Sequence, residues 1–292
     1  MKRTIIILAL AALTSAAGAE EKTKTYSFND IERIEASYNY KVFVTRGNSY
    51  EVEVRCHSEL ERFMTVSYSD MQSKLSLRME NLPKRLRNRE LPAIEVYVQM
   101  DEIFEIDLSG ASEIYFDGEF STIQLDADLS GASNIYDLAI KGRDLNLDCS
   151  GASNADITGD FTGYVDIDCS GASKVRFDGN AGKLDGDFSG ACIFDAGLIT
   201  EGCNIDCSGA AKTDLAGEGK SLRLNGSGAC EIDARNFRSK TVKVDLSGIS
   251  SAKVHATEEL HYNVSRSCKM TYYGDAELFN LSEENNIVKG SF

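Results

Sequence analysis

The stretch Tyr164-Val165-Asp166-Ile167-Asp168-Cys169-Ser170-Gly171-Ala172-Ser173-Lys174-Val175-Arg176-Phe177-Asp178-Gly179 decides the fold. Apolar and polar residues alternate up to Cys169, a bend of small residues follows, and the alternation resumes at Val175 and Phe177. A period of two marks a half-buried strand. The same block recurs along the chain. Ser-Gly-Ala begins at Ser109, Ser130, Ser150, Ser170, Ser189, Ser208 and Ser227, with Ser-Gly-Ile at Ser247 and a degraded Ser-Arg-Ser at Ser265. Successive copies lie 21, 20, 20, 19, 19, 19, 20 and 18 residues apart.

Aligned on that serine, the residues five, three and one before it are mostly apolar, from Phe104, Ile106 and Leu108 to Leu260, Tyr262 and Val264. A second apolar pair follows the bend, as in Ile114/Phe116, Val175/Phe177 and Ala252/Val254. Two or three short strands every 20 residues, with no helical period, describe one coil of a parallel β-helix. Nine coils at the usual strand spacing would make a rod about 40 Å long. A sandwich of antiparallel hairpins would not need the same residue types in register at every period. Gly110, Gly131, Gly151, Gly171, Gly190, Gly209, Gly228 and Gly248 fall where the chain must bend. Glycine tolerates positive φ there, and the following alanine lets bends stack closely.

Two residues before each serine stands Asp107, Asp128, Asp148, Asp168, Asp187, Asp206, Asn225, Asp245 or Asn263. In a β-helix these form one outward column, the candidate binding face. Adjacent carboxylates about 5 Å apart repel by roughly 1 kcal/mol per pair in water. Ca²⁺ bridging them would offset that, as would hydrogen bonds from bend amides together with water and counter-ions. No cofactor is otherwise called for. The nine stacked serines read as structural hydroxyls, not nucleophiles.

The chain has 292 residues, 46 acidic against 31 basic side chains, 24 glycines, 2 prolines and no tryptophan. A net charge of −15 excludes unspecific nucleic-acid binding, which needs basic surfaces. Lys2 and Arg3, the apolar run Ile5 to Leu13 and Ala17-Gly18-Ala19 predict a signal peptide over residues 1–19. Its removal leaves 29 basic against 46 acidic residues, a net −17. No later stretch is apolar enough for a transmembrane segment, so the expected location is exported: periplasm, outer-membrane surface or medium. Residues 20–100 alternate without Ser-Gly-Ala and predict an N-terminal β region and cap, with a helical turn near Ser58 to Met64. Repeats fill 101–271, and 272–292 form a C-terminal cap or tail.

Most of the eight cysteines read as core fillers. Cys149, Cys169, Cys203 and Cys207 take inward positions, and Cys192, Cys230 and Cys268 replace the small serine three after the anchor. Only Cys149 and Cys169, on adjacent coils, have disulfide-compatible spacing. The histidines His57, His255 and His261 form no metal or nucleophile motif. The one basic cluster, Pro83-Lys84-Arg85-Leu86-Arg87-Asn88-Arg89, reads as a solvated loop, with an anionic glycan or phosphate as the alternative contact.

The repeated apolar-x-apolar-x-apolar-Ser-Gly-Ala-Ser, as in Phe104 to Ser112 and Val165 to Ser173, resembles a known family of exported bacterial proteins. So does the lead-in Phe28-Asn29-Asp30-Ile31 with Tyr40-Lys41-Val42-Phe43-Val44-Thr45-Arg46-Gly47. Both are similar to the "putative autotransporter adhesin head, GIN domain" family, over residues 26–282. The resemblance implies a right-handed β-helix, export, a homotrimer and an adhesin role, and supplies no catalytic residues. The chain departs from it in having no Gly-Ile-Asn, the nearest string being Gly248-Ile249-Ser250. No membrane-embedded barrel is expected after Phe292.

Two functions follow. The first is a non-enzymatic binding or adhesion module for a glycan or protein of the cell envelope. The second is a carbohydrate-active β-helix of polysaccharide-lyase type. It would use Arg223, Lys243 and His261, four before the anchor on the last coils, near Asn225, Asp245 and Asn263.

Overall fold

A computed structural model describes residues 21–87, 92–281 and 287–291. The signal peptide predicted over residues 1–19 lies outside them, as do Asn88 and Arg89 of the basic cluster. Its Lys84–Arg87 part is a single helical turn. The chain builds a β-solenoid of about nine turns. Alternation dictates this: along Gln124–Leu129 every second residue is buried, and Leu125, Ala127 and Leu129 meet Leu145, Leu147 and Cys149 of the next coil in register.

Each rung repeats that logic. Val165 and Ile167 stack between Leu145 and Leu147 on one side and Leu184 and Gly186 on the other. Full burial of a Val, Leu, Ile or Phe side chain stabilises by about 1.5–3 kcal/mol, so every coil adds several such terms. Where the inward pattern admits glycine, a neighbour fills the space. A Cβ on Gly186 would stand 2.7 Å from the Phe188 ring, and one on Gly226 2.8 Å from a Leu246 methyl. Phe104 is the exception in the first repeat. It is half-buried, and Ile103 is fully buried beside it.

Parallel stacking begins upstream of the first Ser-Gly-Ala. Arg33–Tyr38 lies parallel to Glu105–Gly110, and Tyr40–Arg46 lies parallel to Glu113–Asp117. On their other side these two strands meet Lys74–Met79 and Ile94–Met100, also in parallel. The chain therefore doubles back, and the 33–46 coil sits between segments met later in the sequence. Antiparallel strands close that end: Glu51–His57 on Ile94–Met100, Glu21–Ser27 on Glu51–His57, and Met64–Ser69 on Lys74–Met79. Such cover removes a sticky parallel edge. The turn expected near Ser58 to Met64 is a 3₁₀ turn at Glu61–Phe63. At the other end, Lys269–Tyr273, Glu277–Asn280 and Ile287–Lys289 continue the parallel stack through the segment expected to be a cap.

Candidate functional site

The bends fix the geometry of the face beside them. All eight bend glycines have φ between 72° and 81°. A Cβ on any of them would stand 2.5–2.7 Å from a carbonyl oxygen one coil below. Left-handed backbone and close stacking both exclude a side chain there. The next amide donates to that same carbonyl, as Ala132 to Gly110 at 2.7 Å, Ala172 to Gly151 at 2.7 Å and Ile249 to Gly228 at 2.7 Å. These amides are thus spent on the coil below and do not reach the Asp column. Bend amides were one expected partner of those carboxylates, and stacking of the backbone is why they are not.

Three residues beyond seven of the anchors, a buried group closes the turn, whereas Ala211 beyond Ser208 carries no donor and Cys268 turns to the Gly248 carbonyl. Ser112, Ser133, Ser153, Ser173 and Ser250 donate from Oγ to the carbonyl of their own anchor serine at 2.7–3.0 Å. Cys192 and Cys230 do the same from Sγ, at 2.7 and 2.9 Å. The anchor serines are more exposed, and Ser130, Ser150, Ser189, Ser227 and Ser247 reach the carbonyl one coil below at 3.3–3.5 Å.

Asp107, Asp128, Asp148, Asp168, Asp187, Asp206, Asn225, Asp245 and Asn263 lie opposite one another, rung on rung. Glu35 extends the column below Asp107. A parallel column runs beside it: Glu105, Asp126, Asn146, Asp166, Asp185, Asn204, Arg223, Lys243 and His261. Asparagine amides interrupt the repulsion. Asn146 donates to Asp126 at 2.7 Å, Asn204 to Asp185 at 2.5 Å, Asn225 to Asp206, and Asn263 to Asp245 at 2.6 Å.

Four carboxyls of the column sit above their usual pKa range. Partial loss of water is the first cause for Asp107, Asp128, Asp168 and Asp187. The neighbouring charges of Glu35, Asp148, Asp166 and Asp206 respectively come next. Two shallow grooves open between the Asp/Asn column and the anchor serines. One, of about 300 Å³, runs from Asp187 to Ser265; the other, of about 390 Å³, runs from Asp148 to Ser208. They overlap at Asp187 and Ser208, giving a trough that presents one carboxylate or amide and one hydroxyl per coil.

Arg223, Lys243 and His261 do stack in register, beside Asn225, Asp245 and Asn263. His261 Nε2 lies 3.0 Å from Glu259, and its ring stacks on Phe279 at 4.6 Å. All eight cysteines are buried free thiols, and Cys149 lies opposite Cys169 without a disulfide. No group of three or more His, Cys, Asp and Glu side chains that could hold a metal ion occurs among the described residues. None of the described helices is long and apolar enough to cross a membrane.

A second surface feature escaped the sequence reading. Tyr97, Phe43, Tyr115 and Tyr136 stack outside the N-terminal coils, with ring centroids 5.0, 5.2 and 4.6 Å apart. The signal was present: Phe43 in Tyr40–Val44 and Tyr97 in Ile94–Val98 put aromatic rings at polar-face positions of clean alternating runs.

Fold and face together define a β-solenoid with a long acidic, hydroxyl-lined side. Residues 30–214 and 160–276 match the family described as "Putative auto-transporter adhesin, head GIN domain", and the chain belongs to that family. Among solved structures, a "putative adhesin" from Parabacteroides distasonis is similar at 16% identity. The match spans 93% of this chain and 97% of that one, with a TM-score of 0.51. A "putative adhesin" from Parabacteroides merdae aligns at 15% identity over 94% and 98%, with a TM-score of 0.49. A "putative lipid binding protein" from Parabacteroides distasonis aligns at 13% identity over 94% and 98%, with a TM-score of 0.46. No curated protein gives a significant match.

Proposed function

We propose that this protein is an exported, non-enzymatic binding module of adhesin type that holds an extended partner of the cell envelope along its acidic face. One observation carries the reading: the trough repeats the same Asp/Asn–Ser pair on every coil from Asp148 to Ser265. A single catalytic centre needs different groups converging on one point, whereas a repeated pair suits an extended ligand touched at intervals of about 4.8 Å. Family membership points the same way. Homotrimeric assembly belongs to the proposal, and sedimentation equilibrium of the mature chain reads it directly.

The test is a panel of immobilised envelope glycans, matrix proteins and envelope proteins probed with the mature chain. The combined variant Asp148→Asn, Asp168→Asn, Asp187→Asn should lose the binding that wild type shows. A panel with no binder, or binding indifferent to that variant, overturns the reading.

A lyase reading has one feature in its favour, the stacked Arg223, Lys243 and His261. Against it, the trough beside them is lined by Asp187, Asp206 and Asp245, which would repel a polyuronate. Release of unsaturated product from uronate polysaccharides, abolished by Lys243→Ala, would reinstate it.

A further inference from the structure

The two ends of the aromatic stack are built alike but finished differently. Each inner ring is covered by its neighbours, so only the outer faces of Tyr97 and Tyr136 are open to a further partner. At Tyr97 that face is occupied. The Arg55 guanidinium carbon lies 4.5 Å from the ring centroid. Glu53, directly opposite Tyr97 on the adjoining strand, accepts from Arg55 Nε at 2.6 Å. Ring, cross-strand carboxylate and guanidinium form a closed trio, in which the cation satisfies both the negative ring face and the carboxylate.

At Tyr136 the first two members recur. Pairing jumps from Ile135–Ala155 to Leu138–Ile157, so Asp156 faces a bulge made by Tyr136 and Asp137. Asp137 is exposed and left-handed, with φ 56°. A bulge re-aims side chains, and here it brings a second carboxylate to the rung beside the ring. The neighbouring cations Arg176 and Lys41 feel Asp156 and Tyr136 respectively at a distance, but their direct contacts go elsewhere. Arg176, opposite Asp156, turns to Asp178 with Nε 2.9 Å from Oδ2, and Lys41 lies 3.1 Å from Glu113. Among the described residues no guanidinium or ammonium stands over Tyr136.

We infer that the outer face of Tyr136, with Asp137 and Asp156, docks an arginine side chain from a basic segment of a partner protein. Charge complementarity selects the cation, and Arg55 on Tyr97 shows the pose that this surface already supports. The setting is an open rung on a flat sheet, which suits a protein side chain better than an enclosed small ligand. The inference rests on the binding-module reading and gives that partner its chemistry.

The probe is the peptide acetyl-Gly-Gly-Arg-Gly-Gly-amide, titrated into the mature chain and followed by amide NMR shifts, with a citrulline peptide as its uncharged counterpart. The arginine peptide should shift Asn134, Tyr136 and Asp156, and the citrulline peptide should not. Tyr136→Leu should weaken binding about two- to fivefold, as removal of a cation–π contact at an open site would. Asp156→Asn should weaken it severalfold, whereas Tyr136→Phe keeps the ring and should keep binding. Shifts confined to the column from Asp107 to Asp245, equal weakening by Asp168→Asn, or equal affinity for the citrulline peptide each overturn the inference. So does a neutral glycan that occupies Tyr136 in place of the peptide. An envelope partner that still binds Tyr136→Leu but not the triple Asp→Asn variant would overturn this site and leave the binding-module reading standing.

Discussion

Gly171 lies so close over Gly151 that a Cβ on it would stand 2.5 Å from the Gly151 carbonyl oxygen, the same oxygen that accepts from Ala172 at 2.7 Å. Gly171→Ala therefore meets two costs at once: a left-handed φ of 76° and a backbone clash. Together these predict a loss of about 2–4 kcal/mol. Gly202→Ala is the control, since its φ is ordinary and its nearest neighbour is the Ser221 hydroxyl at 3.1 Å. Urea unfolding of both variants checks the point. Equal midpoints would mean that the bend does not set the coil spacing.

The buried position three beyond the anchor accepts either hydroxyl or thiol, because both donate to the anchor carbonyl. Ser173 does so at 3.0 Å and Cys192, on the next coil, at 2.7 Å. Ser173→Cys should therefore stay within about 1 kcal/mol of wild type. Ser173→Val removes the donor and crowds a fully packed corner, and should cost about 2–3 kcal/mol. Thermal melts of the two variants decide it. A Ser173→Cys variant as unstable as Ser173→Val would show that size, not the hydrogen bond, rules the site.

How far these features were legible in the sequence depends on which of them repeat along the chain. The bend, the inward columns and the Asp/Asn column recur every 18–21 residues and could be read directly. The 33–46 coil could not be found that way. Tyr38 takes the place of the glycine at φ 108°, so a search keyed on Ser-Gly-Ala starts at Ser109. Tyr97, Phe43, Tyr115 and Tyr136 were also hidden, because their strands come together out of chain order. Their stacking follows from the doubling-back between residues 47 and 100, which no local pattern announces.

The acidic column predicts an unusual pH dependence. The carboxyls of Asp128, Asp168 and Asp187 titrate above their ordinary range in the folded chain, chiefly through partial loss of water and then through the neighbouring charges of Asp148, Asp166 and Asp206. The folded state thus holds protons more tightly than the unfolded chain, whose Asp pKa is about 3.9. Their ionisation destabilises the fold fully at neutral pH, and the penalty fades as pH falls through the raised values toward about 4. Asp128→Asn and Asp168→Asn should raise the melting temperature at pH 7, with the gain shrinking as pH approaches 4. Asp233 behaves oppositely, because Arg235 and Lys253 hold it ionised. Asp233→Asn should cost stability at pH 7, and less so in acid. Melting temperatures from pH 4 to 8 test both signs, and a gain for Asp168→Asn that does not vary with pH would remove the electrostatic account.

The cysteines should behave as hydrocarbon-like core atoms even in an oxidising compartment. All eight are buried and unpaired, and burial holds Cys207 at a pKa of about 12. Contact with Cys149, together with burial, raises that of Cys169. Attack on a disulfide reagent needs an exposed thiolate. The native protein should therefore release almost no thiolate from an aromatic disulfide reagent at pH 8, whereas the urea-unfolded chain should release eight equivalents. Reducing agent should leave the melting temperature unchanged. A mature protein lighter by two hydrogens, with Cys149 and Cys169 joined in its peptide map, would instead show that the stacked pair oxidises despite its parallel side chains.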